Sequence, residues 1–166
     1  MTGFYPTILK FTELDPDIYL TEQVLQKYVE TSHVIGGKKW DVRMWVLCTC
    51  EQPLTLWFYL DGYLRFTARP FALDTLEDPI AHVTNVEFQR ESDEGRAAIA
   101  AGGGALQWHT DELLAHLARR GEAHHWHEEL LPQMQEIVIA VFRAGVCVCV
   151  CVCVCVRVAE RAYTFG

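Results

Sequence analysis

From Lys38 to Leu47 apolar and polar positions alternate: Trp40, Val42, Met44 and Val46 fall on one side, Lys39, Asp41 and Arg43 on the other. A period of two is that of a β-strand. One face should therefore pack on a core, while the other lines up two cations and a carboxylate within about 13 Å of strand. An ordinary half-exposed strand carries the same pattern. Two further apolar runs, residues 54–60 and 63–67, flank Asp61-Gly62, a dipeptide suited to a tight two-residue turn. They predict an antiparallel hairpin beside the strand that holds Asp41. Val24 to Val29 is β-branched and aromatic enough for another strand, and Gly36-Gly37 marks a turn after it.

The period then changes. Pro70 to Pro79 reads as a loop, Ala81 to Asn85 as a short extended piece, and the Ala- and Gly-rich stretch from Ala97 to Ala105 as a flexible linker. Its three glycines lack the lysine and hydroxyl of a phosphate-binding loop. Thr110-Asp111-Glu112 caps a helix carrying Leu113, Leu114 and Leu117 that ends at Gly121. A second helix is predicted from about Glu128 to Ala144, with Leu131, Met134, Ile137, Val138 and Val141 on one stripe and Pro132 in its first turn. Strands followed by two helices predict an α+β fold. Residues 1–21 form an irregular lead-in, 22–144 the domain, and 145–166 a low-complexity tail.

Charge narrows the choice of ligand. The net charge of -8 argues against nucleic acid as a partner, yet residues 23–70 hold six basic against four acidic residues. A locally basic strip in an acidic chain suits an anion such as a nucleotide phosphate, although random scatter also produces one. The first 140 residues hold no apolar run long enough to span a membrane, and the start lacks a signal-peptide pattern. An intracellular, cytoplasmic setting is therefore expected.

Seven cysteines change the picture less than their number suggests. Cys48 and Cys50 sit in an apolar stretch, and the other five alternate with valine from Val146 to Val156. No C-x-x-C pair occurs, and valine spacers are unlike those of thiolate metal arrays, so no metal site is expected. A repeated GT dinucleotide encodes alternating Val and Cys, so the tract reads as translated non-coding sequence; the alternative is a buried strand. His124-His125-Trp126-His127, followed by Glu128 and Glu129, has the residue types of a zinc site, but adjacent histidines need further ligands nearby.

Four motifs in order resemble the tubulin tyrosine ligase-like family. They are Gln26-Lys27-Tyr28-Val29-Glu30, Lys39-Trp40-Asp41-Val42-Arg43-Met44-Trp45-Val46-Leu47, Trp57 to Phe66 (WFYLDGYLRF), and His82-Val83-Thr84-Asn85 with Gln89 after it. Scattered later matches, Trp108 to Met134, are similar to the tubulin glycylases. The resemblance implies part of an ATP-grasp domain in an ATP- and Mg²⁺-dependent ligase. Such an enzyme activates a carboxylate as an acyl phosphate and lets an amine attack it. It implies adenine held at Gln26, Lys27, Tyr28 and Val29. It also implies Lys39, Asp41, Arg65, His82, Thr84 and Asn85 facing the nucleotide or acceptor, with Lys39 and Arg65 neutralising phosphoryl charge as catalytic groups. The implied partners are tubulin, through its acidic tails, or another protein acceptor, and a free amino acid, with glycine first. The implied place is the cytoskeleton, cilium or flagellum included.

Two family features are not found: an upstream lobe with a further lysine, and a downstream E-x-N that holds Mg²⁺. The expectation is a truncated fragment, inactive by itself. The competing reading is a non-catalytic module that docks tubulin or another partner.

Overall fold

The alternation beginning at Lys38 runs further than its sequence pattern shows. In the computed structural model of the protein, strand β2 spans Lys38–Glu51 and pairs antiparallel with β3, Leu54–Phe66, from Glu51↔Leu54 to Trp40↔Phe66. The structure describes residues 27–74, 76–101, 104 and 106–144, with the backbone of 152–157. The lead-in, Val24 to Gln26 and most of the Val-Cys tract lie outside the described residues.

The predicted hairpin within residues 54–67 is not formed. These residues make one strand, and the hairpin is the β2–β3 pair itself, closed at Gln52-Pro53. Asp61-Gly62 lies inside β3, where Met44 faces residues 60–62 across a register shift between Arg43↔Tyr63 and Trp45↔Tyr59. Gly62 serves close approach there. A Cβ on it would lie 2.6 Å from the Arg43 carbonyl oxygen and against Met44 Sδ. The tight two-residue turn falls instead at Gly36-Gly37, with φ of 59° and 77°, between β1, Val34–Ile35, and β2.

After a 3₁₀ turn at Pro79–Ala81, two short helices follow, α1 (Val86–Gln89) and α2 (Asp93–Ala100). Both correct the sequence reading. The expected extended piece at Ala81–Asn85 is the end of that turn and the link from it to α1, and residues 97–100 of the expected linker belong to α2. Ser92 caps α2 through the Gly95 N–H, and Asp93 and Glu94 complement its N-terminal dipole. Strand β4, Gln107–His109, then pairs with β3.

Helix α3 covers Thr110–Arg119, as its apolar spacing predicts, but its N-cap is His109 rather than Thr110. The Thr110 hydroxyl is instead committed to the sheet, donating to the Gly62 carbonyl at 2.9 Å and accepting from the Gly62 N–H at 3.0 Å. The second predicted helix is a longer helical run: α4 (Ala123–His125), a π-helical segment (Trp126–Leu130) and α5 (Leu131–Arg143). Met134 and Val138 are buried, but Ile137 and Val141 of the predicted stripe are exposed.

The core joins one sheet face to these helices. Trp40, Val42, Met44, Leu64 and Phe66 pack with Leu113, Leu117, Trp126 and Met134. An α+β layer arrangement is thus what the strand and helix periods specify. In the tail, Val152–Arg157 forms β5, antiparallel to β2 along Asp41 to Val46, so a strand is the form this part of the tract takes. Beyond the helical layer the β2–β3 ladder leaves Leu47, Trp57, Tyr59 and Leu60 exposed. Among the described residues no helix is long and apolar enough to cross a membrane.

Candidate functional site

On the face of β2 and β3 opposite the apolar core, Lys39 and Asp41 are also buried, although they are charged. Lys39 and Asp41 are two apart on β2, and Arg65 is the cross-strand partner of Asp41, so strand geometry puts all three on one side. Lys39 is 2% and Asp41 4% exposed, as little as the core tryptophan Trp40. Burying such groups is costly unless each charge finds a partner.

Asp41 meets that demand with both oxygens. Arg65 Nε donates to Oδ1 at 2.9 Å and Arg65 Nη2 to Oδ2 at 2.6 Å, a bidentate fork. The Thr84 hydroxyl donates to Oδ2 at 2.8 Å from the link after the 3₁₀ turn. Lys39 Nζ donates to the Tyr28 hydroxyl at 2.7 Å and lies 4.2 Å from the centre of that ring and 5.6 Å from that of Phe71. Tyr28 in turn stands 2.7 Å from His82 Nδ1. With Lys39 donating, the hydroxyl proton points at that nitrogen, which suits the His82 tautomer protonated on Nε2.

Gln89 fixes the backbone that carries His82 and Thr84. Wholly buried, it accepts from the Ala68 N–H at 2.9 Å and donates to the Ile80 and Val83 carbonyls. Arg69 ties β3 to the same region, and its hydrogen bonds to Asp78 first, then Glu94, hold its guanidinium above the ordinary arginine range.

The structure thus joins six of the expected residues into two neighbouring clusters, Tyr28, Lys39 and His82 in one and Asp41, Arg65 and Thr84 in the other. Others stand apart. Asn85 is exposed, and its side chain caps α1 by accepting the Glu87 N–H. Lys27 is exposed beside Glu30, and Val29 offers its carbonyl to the Ser32 hydroxyl. Residues 27–29 are not a strand. Gln26 lies outside the described residues.

One residue on this face received no role from the sequence. Arg43 follows Asp41 by two, and its half-buried side chain keeps Nε without a hydrogen-bond partner. Its strand parity was legible; the unsatisfied donor is a three-dimensional fact. Buried donors without partners are uncommon, and a water or an anion would satisfy this one.

Comparison with known proteins gives one consistent result. The profile described as the tubulin-tyrosine ligase family matches residues 9–152, beginning inside the expected lead-in and ending in the Val-Cys tract. Tubulin monoglycylase TTLL3 of Homo sapiens is 34% identical over 116 residues, 70% of this chain and 15% of that protein. Protein monoglycylase TTLL8 of Mus musculus is 35% identical over 124 residues, 74% of this chain and 14% of that protein. A probable tubulin polyglutamylase, TTLL9 of Rattus norvegicus, is 41% identical over 78 residues, 47% of this chain and 17% of that protein. The chain therefore spans about one seventh of the length of the glycylases it matches.

Proposed function

The chain belongs to the tubulin-tyrosine ligase family, and on that premise we propose that it supplies part of the nucleotide-facing wall of an ATP-grasp ligase that joins glycine to tubulin. The observation that carries this reading is the set of cations on one sheet face: Lys39, Arg43 and Arg65, each positioned before any ligand arrives. In acyl-phosphate chemistry a carboxylate oxygen attacks the γ-phosphorus and ADP leaves, after which the amine displaces phosphate. Negative charge builds on the phosphoryl oxygens, and fixed donors stabilise it without reorganising.

Asp41 and Thr84 hold the Arg65 fork, and Tyr28 holds Lys39 over its ring, so neither cation is free to swing. Arg43 brings the unsatisfied donor that a phosphate oxygen would meet. These groups fit ATP. They do not fit Mg²⁺, because both oxygens of the buried Asp41 carboxylate are already engaged by Arg65 and Thr84. Glycine as the added amino acid follows the glycylase names of the relatives, and tubulin as acceptor places the ligase on the cytoskeleton, cilium included.

A docking module that needs no nucleotide is the second reading. The exposed Leu47, Trp57 and Tyr59 at the far end of the same ladder favour it. Titration calorimetry with ATP on this chain separates the two. ATP should bind weakly, and Arg43→Gln or Arg65→Ala should weaken it about tenfold or more, since each removes a charge-assisted contact. With Mg²⁺, tubulin and labelled glycine, glutamate or tyrosine, this chain should incorporate none. ATP binding that ignores both substitutions, beside ATP-independent tubulin binding lost in Trp57→Ala, would establish the docking module instead.

A further inference from the structure

The passage from α4 into the π-helical segment brings three ligand-type side chains together, His124 and His125 at the end of α4 and Glu129 in the π turn, five residues after His124. Consecutive residues of an α-helix do not face each other. Here the His124 and His125 rings lie 4.1 Å apart at 35°, and His125 Nδ1 is 2.7 Å from Glu129 Oε1. One ligand atom from each of His124, His125 and Glu129 lies within 4.8 Å of the other two. The wide register is anchored from below: Trp126 is buried in the core, and the Leu131 N–H closes the segment on the Trp126 carbonyl, five residues back. A helical His–Glu hydrogen bond explains Glu129 beside His125. It does not explain why His124 turns onto the same point.

We propose that His124, His125 and Glu129 form a site for a divalent transition metal of the Zn²⁺ class, separate from the sheet face described above. Two imidazoles and a carboxylate are the ligand set such ions take, at bonds of about 2.0–2.2 Å, which puts tetrahedral ligands about 3.3 Å apart. Small rotamer shifts bring the three atoms to that spacing from where they stand. His124 is exposed and the other two half-buried, so the ion keeps positions open to water. The neighbouring Glu122 carboxylate is hydrogen-bonded to Arg120 and stays outside the set. Because the ligands flank Trp126, the ion would clip the π turn and tighten the packing of α5 on the sheet.

Zn²⁺ titration of the full chain, followed through the carbon-bound imidazole protons by NMR, reads the site directly at its histidines, separately from any Zn²⁺ taken by the thiols. Signals of His124 and His125 should move together with one dissociation constant, while His127 stays still. His124→Ala and Glu129→Gln should each weaken the response of His125 about tenfold or more, and His127→Ala should change nothing. Every variant carries the same cysteines, so thiol binding is common to all. Zn²⁺ should also raise the thermal midpoint of the wild type, and not of His124→Ala, by linkage to the folded state. Imidazole signals that ignore Zn²⁺, or an equal loss in His127→Ala, would overturn the proposal.

Discussion

Around Lys39 and Asp41 the two faces of the β2–β3 ladder are both buried, by opposite means. On one, Trp40, Val42, Leu64 and Phe66 meet the helices, and each removal of apolar surface from water is favourable by itself, about 25 cal/mol per Å². On the other, Lys39 and Asp41 are as well hidden, yet burial there is unfavourable until every charge is paired. The apolar face would form from almost any residues of suitable volume. The polar face requires Arg65, Thr84, Tyr28 and His82 to arrive from three separate stretches of chain. A fold gains little stability from such a face, since apolar residues would serve as well. What the face offers is fixed charge, aimed before a ligand binds.

Breaking the buried pair should produce the largest effect. Asp41→Ala leaves the Arg65 guanidinium buried without its carboxylate and should cost about 3–5 kcal/mol, read from denaturant unfolding. Asp41→Leu combined with Arg65→Met removes both charges of the pair and makes that part of the face apolar like the other. That double variant should recover most of the loss, or exceed the wild type, while ATP binding stays weakened as in Arg65→Ala. A double variant as unstable as Asp41→Ala would mean that the pair stabilises the fold outright, and the contrast between the faces would fall.

The bulge that joins the two faces gives a smaller effect. Gly62→Ala puts a methyl 2.6 Å from the Arg43 carbonyl oxygen, and backbone cannot step aside as the Met44 side chain can. Overpacking of this kind should cost about 1–3 kcal/mol. It should also disturb the amide signal of Thr110, whose hydroxyl binds Gly62 on both sides. Gly36→Asn should cost a fraction of that, because asparagine adopts positive φ and nothing lies within 4 Å of the added Cβ. Equal costs at the two glycines would show that conformation, not close approach, governs both.

These two glycines also show what the sequence reveals and what it does not. Local period is legible: Lys38 onward reads as a strand, Thr110 to Arg119 as a helix, and the parity of Lys39, Asp41 and Arg65 puts them on one side before any fold is known. Pairing is not local. Asp61-Gly62 has the residues of a turn, and only the position of Met44 across the ladder decides that it is a bulge. The Ala97–Ala105 composition hides a helix whose start, Ser92 followed by Asp93 and Glu94, was there to be read. Strand β4 is three residues long, too short for a period to appear. In the site, Asn85 belongs to the motif but is spent on capping α1, and Arg43 is revealed only by a donor left unsatisfied. Motif membership marks a neighbourhood, and geometry assigns the work within it.

The smallest effect belongs to an ion pair on the surface, the counterpart of Asp41 and Arg65. Arg120 ends α3, and its Nε donates to Glu122 Oε2 at 2.7 Å. That hydrogen bond, more than the charge itself, lowers the Glu122 carboxyl below its ordinary value. A carboxyl that is more acidic folded than unfolded adds stability above its unfolded value, and loses it as pH falls through the folded one. The wild type should therefore melt slightly above Glu122→Gln at neutral pH. The gap should close as the pH drops below the ordinary carboxylate range, about 4. It should also shrink with added salt at neutral pH, since solvent and ions screen an exposed pair. A gap that persists in acid would trace to something other than the ionised carboxylate.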